Sequence, residues 1–343
     1  MDEQELKQQL KDNTLSGAYL FYGDEDYLKE LYVGRVLKRC VKPGFEGFNL
    51  HKYDGESALL EDFTEAAQML PMMSDRLVVL VRDFDLSKLT SDENKQFSEF
   101  LSDVPETTVI VFWMDAIKFN IKRDNKWQKI VSLFKKYGNA VEFDKKDKNY
   151  LAKLLIGTAQ KRSRTLSSSD AYYLIDAVGD DMNTLLNELD KLCAYCENGV
   201  IDRASIDAVA VRSLSVKAFD LTKAVSSNDL NRAFEILNLF FAQKTEPTVI
   251  LSEIITAYVD MYRAKVSLAS GEKSDALADD FNYGNASFRL TNGARYASKM
   301  SVEQLRECLY ELDRADETLK ATAGDDRLAL EQLLVSLAVI SNR

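Results

Sequence analysis

The sequence predicts an α/β domain of the nucleotide-binding kind followed by two all-α domains, and three observations carry that prediction. Strand-like and helix-like segments alternate as far as residue 143. The strand-like runs are continuously apolar, as in a parallel sheet covered on both faces. Beyond residue 143 only helical periods continue, which divides the chain into 1–143, 144–211 and 212–343.

Strands are expected at Ala18–Tyr22, Leu77–Val81, Thr107–Trp113 and Ala140–Phe143. Between them Asp26–Cys40, Leu59–Leu70, Asn94–Asp103 and Asn125–Tyr137 read as helices. The second domain carries helical periods at Lys148–Arg162, Ser169–Val178, Met182–Tyr195 and Arg203–Val209. Ser167 to Asp170 offers several cap candidates in a row, and Gly179-Asp180-Asp181 breaks one helix and starts the next. Longer helices follow at Ala218–Val225, Leu230–Gln243, Pro247–Leu268, Ser274–Phe281, Ser287–Lys299, Val302–Ala321 and Arg327–Ile340. Pro247 suits a first helical turn, where its missing N–H costs little. Several of these segments are amphipathic enough to pack as a bundle.

Charged residues make up 29% of the 343 and the hydrophobic set 46%, the composition of a globular protein. The amino terminus is charged and lacks the apolar core of a signal peptide, and no apolar run is long enough to cross a bilayer. A cytoplasmic protein without membrane contact is expected. Cys40, Cys193, Cys196 and Cys308 do not form a disulfide framework in a chain this long. Cys193 and Cys196 have the spacing of a metal knuckle, but His51 is the only histidine and lies far away. Helix-end packing is therefore expected of them, and no metal or cofactor.

The net charge of −11 argues against a protein that coats DNA with its whole surface. Residues 117–164, however, hold 14 Lys/Arg against 4 Asp/Glu, a net +10. Phosphate contact and a solvated helix face both fit that window.

The first strand runs into Gly23-Asp24-Glu25-Asp26-Tyr27-Leu28-Lys29-Glu30, where such a domain places its phosphate loop, G-x-x-x-x-G-K-[ST]. Gly23 and Lys29 fit that spacing. Leu28 replaces the second glycine, and Glu30 the hydroxyl that would hold magnesium. Three carboxylates, Asp24 to Asp26, stand where a triphosphate would lie, and are expected instead to cap the following helix. The strand Leu77–Val81 ends in Arg82-Asp83 rather than in paired acids. With one histidine there is no Ser-His-Asp or Cys-His arrangement, and acids are scattered rather than gathered for two metals. No catalytic residue is expected.

The helix ending at Leu70 meets Pro71, and then Met72 and Met73 precede the strand at Leu77. Adjacent methionines in a short connection cannot easily both point inward. They suit a surface that fits another protein's pocket, and equally they suit the end of the sheet.

Several stretches together resemble one family. Tyr19 to Leu28 resembles the opening signature of the delta subunits of bacterial DNA polymerase III clamp loaders. Gly179-Asp180-Asp181-Met182 through Leu186 to Leu192 is similar to that family's helical-lid motif. Phe219-Asp220-Leu221 through Leu237, and Leu312-Asp313 through Leu330 to Leu334, are similar to its helical collar. The resemblance implies an AAA+-like first domain with a degenerate phosphate loop, then a lid and a collar. It implies a subunit that joins the ATP-binding gamma/tau subunits and delta-prime through its collar. It also implies that the first domain binds and opens the ring-shaped sliding clamp, beta, for loading onto primed DNA. The family's contact, an apolar pair after a helix, falls on Met72 and Met73, with Leu70 and Pro71 shaping the tip. No intrinsic catalysis is implied, and a polymerase label would come only through the holoenzyme. The competing expectation is an active AAA+ ATPase of replication or repair, against which Leu28, Glu30 and the missing acid pair argue.

Overall fold

The computed structural model describes residues 1–119, 121, 124–281, 283, 288–321 and 325–343, which fall into two compact units, 1–146 and 147–343. In the first unit the order is α1 (Glu3–Asp12), β1 (Gly17–Tyr22), α2 (Asp26–Cys40), α3 (Glu46–Asn49), β2 (Leu50–Asp54), α4 (Leu60–Ala67), β3 (Leu77–Arg82), α5 (Ser91–Ser102), β4 (Thr108–Trp113), α6 (Asn125–Tyr137) and β5 (Asn139–Glu142). Among the described residues these strands form one parallel sheet in the order β2-β3-β4-β1-β5.

Alternation within β1 explains the two covered faces. Ala18, Leu20 and Tyr22 point into one core with Phe63 of α4, Phe97 of α5 and Phe134 of α6. Phe112 of β4 meets all three of those rings edge-on, at centroid distances of 5.4–5.5 Å. Phe21 instead packs on Phe143, which also contacts Tyr32 of α2. Burying one such ring is worth about 1.5–3 kcal/mol, so the aromatic layers fix which helix lies on which face.

Three first-unit expectations are corrected. β2 is a strand that the sequence reading lacks, an edge strand whose polar residues, His51, Lys52 and Asp54, hide the period. α4 ends at Ala67, so Met69 and Leu70 lie outside the helix, and α5 begins three residues ahead of Asn94, capped by Thr90 with Glu93.

The second unit opens with α7 (Lys148–Lys161), β6 (Thr165–Leu166), α8 (Ser168–Val178), α9 (Met182–Tyr195), β7 (Val200–Ile201) and α10 (Arg203–Val209). Ser167 and Asp181 cap α8 and α9 by accepting the N–H of Asp170 and Thr184. Gly179 ends α8 at φ +102, a left-handed value that favours glycine. β6 and β7 pair in parallel, so strand structure does not stop at residue 143 as the sequence suggests. Next come α11 (Leu214–Ser226), α12 (Leu230–Ala242), α13 (Pro247–Ala269), α14 (Phe288–Tyr296), α15 (Val302–Ala321) and α16 (Asp326–Ser341). They bury a common core that includes Leu221, Leu237, Leu312, Leu330, Leu333 and Leu334. Ser274–Phe281 is a succession of turns rather than a helix, and Ser287 lies outside the described residues.

Candidate functional site

In an open parallel sheet, ligands bind beyond the carboxyl ends of the strands, where the chain changes direction across the sheet. Here that point is β1, which lies between β4 and β5 while the chain next travels to β2. The loop from Gly23 to Asp26 leaves β1 there, and Met114 follows β4 beside it.

Lys29 fills this crevice. Its side chain is fully buried, and Nζ donates to the carbonyls of Gly23 at 2.8 Å and Met114 at 2.5 Å. It also pairs with Asp26 Oδ1 at 2.9 Å. An ammonium has three donors, and all three are used by the chain itself. Burial, the largest influence, pushes Lys29 below the ordinary lysine value, partly offset by Asp26.

The rest of the loop is equally committed. Gly23 sits at φ +109, and a Cβ there would lie 2.5 Å from the Phe143 carbonyl oxygen. That oxygen accepts the Glu25 N–H at 2.8 Å, so this amide faces the protein. Leu28 is buried in the core, and Glu30 is exposed. The capping role expected of the acids is corrected: Glu25 is the N-cap of α2 but makes no side-chain cap bond. Glu25 is buried and faces Lys145 at 3.8 Å, while Asp26 takes Lys29 and Lys118. Burial works against ionisation of Asp26, but hydrogen bonds from Lys118 and Lys29 outweigh it and hold the carboxyl below its usual value.

Asp83, the lone acid after β3, is a staple. Its Oδ1 accepts the N–H groups of Asp115, Ala116 and Ile117 at 2.7, 2.9 and 3.1 Å. Arg82 pairs with Asp115 and lies over the Trp113 ring. Neither the lysine nor the acid of a phosphate site is left to meet a triphosphate, and the residues present do not fit one.

The apolar tip lies at the other end of the sheet, because the connection from α4 enters the amino end of β3. Leu70 is 80% exposed, Met72 54% and Met73 76%, and Met69 is exposed beside them. Pro71 is half-buried. Both methionines thus point outward. The structure does not bring the tip and the phosphate loop together.

The tip's backbone is pinned by residues that sequence reasoning did not single out. Asn49 hydrogen-bonds both peptide groups of Met72, and Lys42 Nζ donates to the Met73 carbonyl at 3.3 Å. No local sequence signal marks Asn49, since its partner lies 23 residues away. Met69 was legible as the start of an apolar run that reaches Met73.

Among the described residues five cations of the basic window are ion-paired: Lys118 with Asp26, Lys145 with Glu25, Lys146 with Glu3, Lys148 with Asp176 and Arg162 with Asp190. Lys129, Lys135 and Lys136 of α6 are exposed, and Lys122 and Arg123 lie outside the described residues. Cys193 and Cys196 are buried at the end of α9. Among the described residues no group of three or more His, Cys, Asp or Glu converges on a metal position, and no helix is long and apolar enough to cross a membrane.

These features define the class: an AAA+-like α/β unit with a buried lysine at the carboxyl ends of its strands, followed by a helical unit. The family model described as DNA polymerase III, delta subunit, matches residues 19–145, and that of the DNA polymerase III delta subunit, C-terminal domain, matches 215–337. The chain belongs to the DNA polymerase III delta-subunit family. It is similar to the DNA polymerase III subunit delta of Bacillus subtilis strain 168, with 22% identity over 337 residues, covering 96% of this chain and 94% of that one. The solved structure of the Bacillus subtilis DNA clamp loader delta protein shares the fold, with a TM-score of 0.67 at 21% identity, covering 98% of this chain and 99% of that one.

Proposed function

We propose that this chain binds the sliding clamp through Leu70, Pro71, Met72 and Met73 and springs the ring open for loading onto primed DNA, without hydrolysing ATP. The observation that carries the reading is the exposure of Leu70, Met72 and Met73 together on a pinned backbone. Apolar side chains held out in this way serve as anchors for a pocket on another protein, and methionine adapts to the pocket it enters. Lys29 in the nucleotide crevice supports the second half, because a phosphate would have to displace three satisfied contacts to reach its charge.

A ring opens under a ligand only when that ligand binds the open form more tightly than the closed one. In this reading ATP-binding subunits of the gamma/tau type decide when the tip is presented, with delta-prime completing the assembly and α11–α16 as the collar that joins them. α7–α10 are the lid. The assembly meets primed DNA as a whole, in the cytoplasm.

The test replaces Met72 and Met73 with alanine together and measures binding to the cognate clamp. Removal of a two-residue anchor worth at least about 2 kcal/mol weakens binding by about 30-fold or more. Unchanged affinity would refute the site.

A further inference from the structure

We propose that Asn49 is the positioning residue of the clamp-binding tip, holding the Met72 peptide so that both methionines are presented before a partner arrives. The inference rests on the reading of Leu70–Met73 as the clamp-binding tip.

Asn49 closes the four-residue helix α3 and immediately precedes β2, at the amino end of the strand paired with β3. Its side chain is fully buried. Oδ1 accepts the Met72 N–H at 2.7 Å, and Nδ2 donates to the Met72 carbonyl at 2.8 Å. Nδ2 donates a second time, to the Phe45 carbonyl at 3.2 Å. The side-chain amide therefore treats Met72 as a neighbouring strand residue would, exchanging one donor and one acceptor with the same residue.

The next residue shows why such a hold matters. Met73 has φ +54, in the left-handed region that a long L side chain occupies at a cost. Its side chain is exposed, so packing does not impose this conformation. On one side Pro71 fixes its own φ and restricts Leu70. At Met72 the peptide is held by Asn49, and at Met73 the carbonyl meets exposed Lys42. Without the amide of Asn49, Met73 relaxes toward ordinary extended backbone and the paired methionines no longer point together. A partner then selects a minor population, and the apparent affinity falls by the fraction of tips in the competent form.

The alternative is a buried asparagine that is merely satisfied and has no bearing on the tip. A double-mutant cycle on the full chain separates the two, with binding to the immobilised cognate clamp as one readout and amide exchange of the free protein as the other. Asn49→Ala and the isosteric Asn49→Asp, which keeps the acceptor but faces two carbonyls with oxygen, are each made alone and with Met72→Ala/Met73→Ala. The expected result is about a tenfold weaker clamp affinity for each single variant, with a cooperative melting transition retained. In the background lacking both methionines, the Asn49 change adds less than about twofold. The Met72 amide loses its exchange protection in the Asn49→Ala protein.

Wild-type affinity in both Asn49 variants overturns the inference, as does an equal loss with and without the methionines, which would place the effect elsewhere. Should Asn49→Ala fail to fold, Asn49→Asp decides by the same criteria. Wild-type affinity in Met72→Ala/Met73→Ala sinks the clamp-binding reading itself and the inference with it. Loss there beside unchanged Asn49 variants sinks the inference alone.

Discussion

Lys29→Met tests whether the crevice is closed by structure. Methionine keeps the length of the stem and removes the ammonium. The carbonyl oxygen of Met114 then loses its donor at a buried site, and that of Gly23 at a partly buried one. An orphaned buried acceptor costs about 1–3 kcal/mol, which Met114 bears in full and the partly buried Gly23 in part. The half-exposed Asp26 keeps Lys118, so the lost ion pair adds less than about 1 kcal/mol. Against these losses, the variant no longer holds a desolvated charge, which burial already disfavours enough to lower the lysine's pKa. A net destabilisation of about 2–3 kcal/mol is expected.

The chain supplies a selective reporter. Its two tryptophans, Trp113 and Trp127, both lie in the first unit, so fluorescence during urea unfolding follows that unit alone. The pH dependence has a definite sign. Folded Lys29 lies below its ordinary value of 10.5, so approaching 10.5 the unfolded chain holds a proton that the folded chain has released. The contribution of Lys29 to stability rises with pH across that window and the variant lacks this contribution, so the gap between the two proteins widens. An unchanged urea midpoint for Lys29→Met would refute the plug. So would stabilisation of the wild-type first unit by Mg-ATP, since a ligand at 100 times its Kd adds about 2.7 kcal/mol.

Asp83→Asn keeps the shape and tolerates the left-handed backbone at φ +52, but replaces a carboxylate that accepts three N–H groups with a neutral amide. It should cost about 1–2 kcal/mol in the same fluorescence assay, and no loss would show that those contacts are idle. Burial pushes the Cys40 thiol up to about 11 and the Cys308 thiol up to about 12, and it raises Cys193 as well. At pH 8 these thiols stay protonated and, with Cys196, buried, so a thiol reagent should modify the protein slowly until it unfolds; rapid modification of the native protein would contradict that burial.

What the sequence made legible follows from how local each cause is. α6, α9 and α10 begin and end where their caps and turn residues place them, because Asp124, Asp181 and Asp202 act within three residues. The apolar runs of β1, β3 and β4 are visible because both faces are buried, whereas β2 lies at the edge and needs no such run. α4 stops before Pro71 demands it. The Ala67 carbonyl is taken by the Thr108 hydroxyl at 2.8 Å, and the Gln68 side chain reaches the Asp103 carbonyl, both tertiary contacts. The altered phosphate loop could be recognised from Leu28 and Glu30, but not the destination of Lys29. Its acceptor at Met114 is 85 residues away. Acidic residues at a helix start suggest capping by local rule, and here Lys29 and Lys118 compete for Asp26.

The two ends of the sheet divide the work on the proposed reading. At the carboxyl ends, where this topology receives ligands, Lys29 binds β1 to β4 and Asp83 binds β3 to the segment after β4. At the amino ends, Asn49 couples β2 to the tip ahead of β3. A crevice already filled by its own chain offers a nucleotide no differential affinity between two shapes of this unit, and without such a difference no ligand shifts an equilibrium. On that reading the tip keeps one form, and its timing is set by the ATP-binding neighbours proposed above. The separation has a physical advantage for opening a ring. A rigid anchor delivers its binding energy to the distortion of the partner instead of losing it to its own rearrangement.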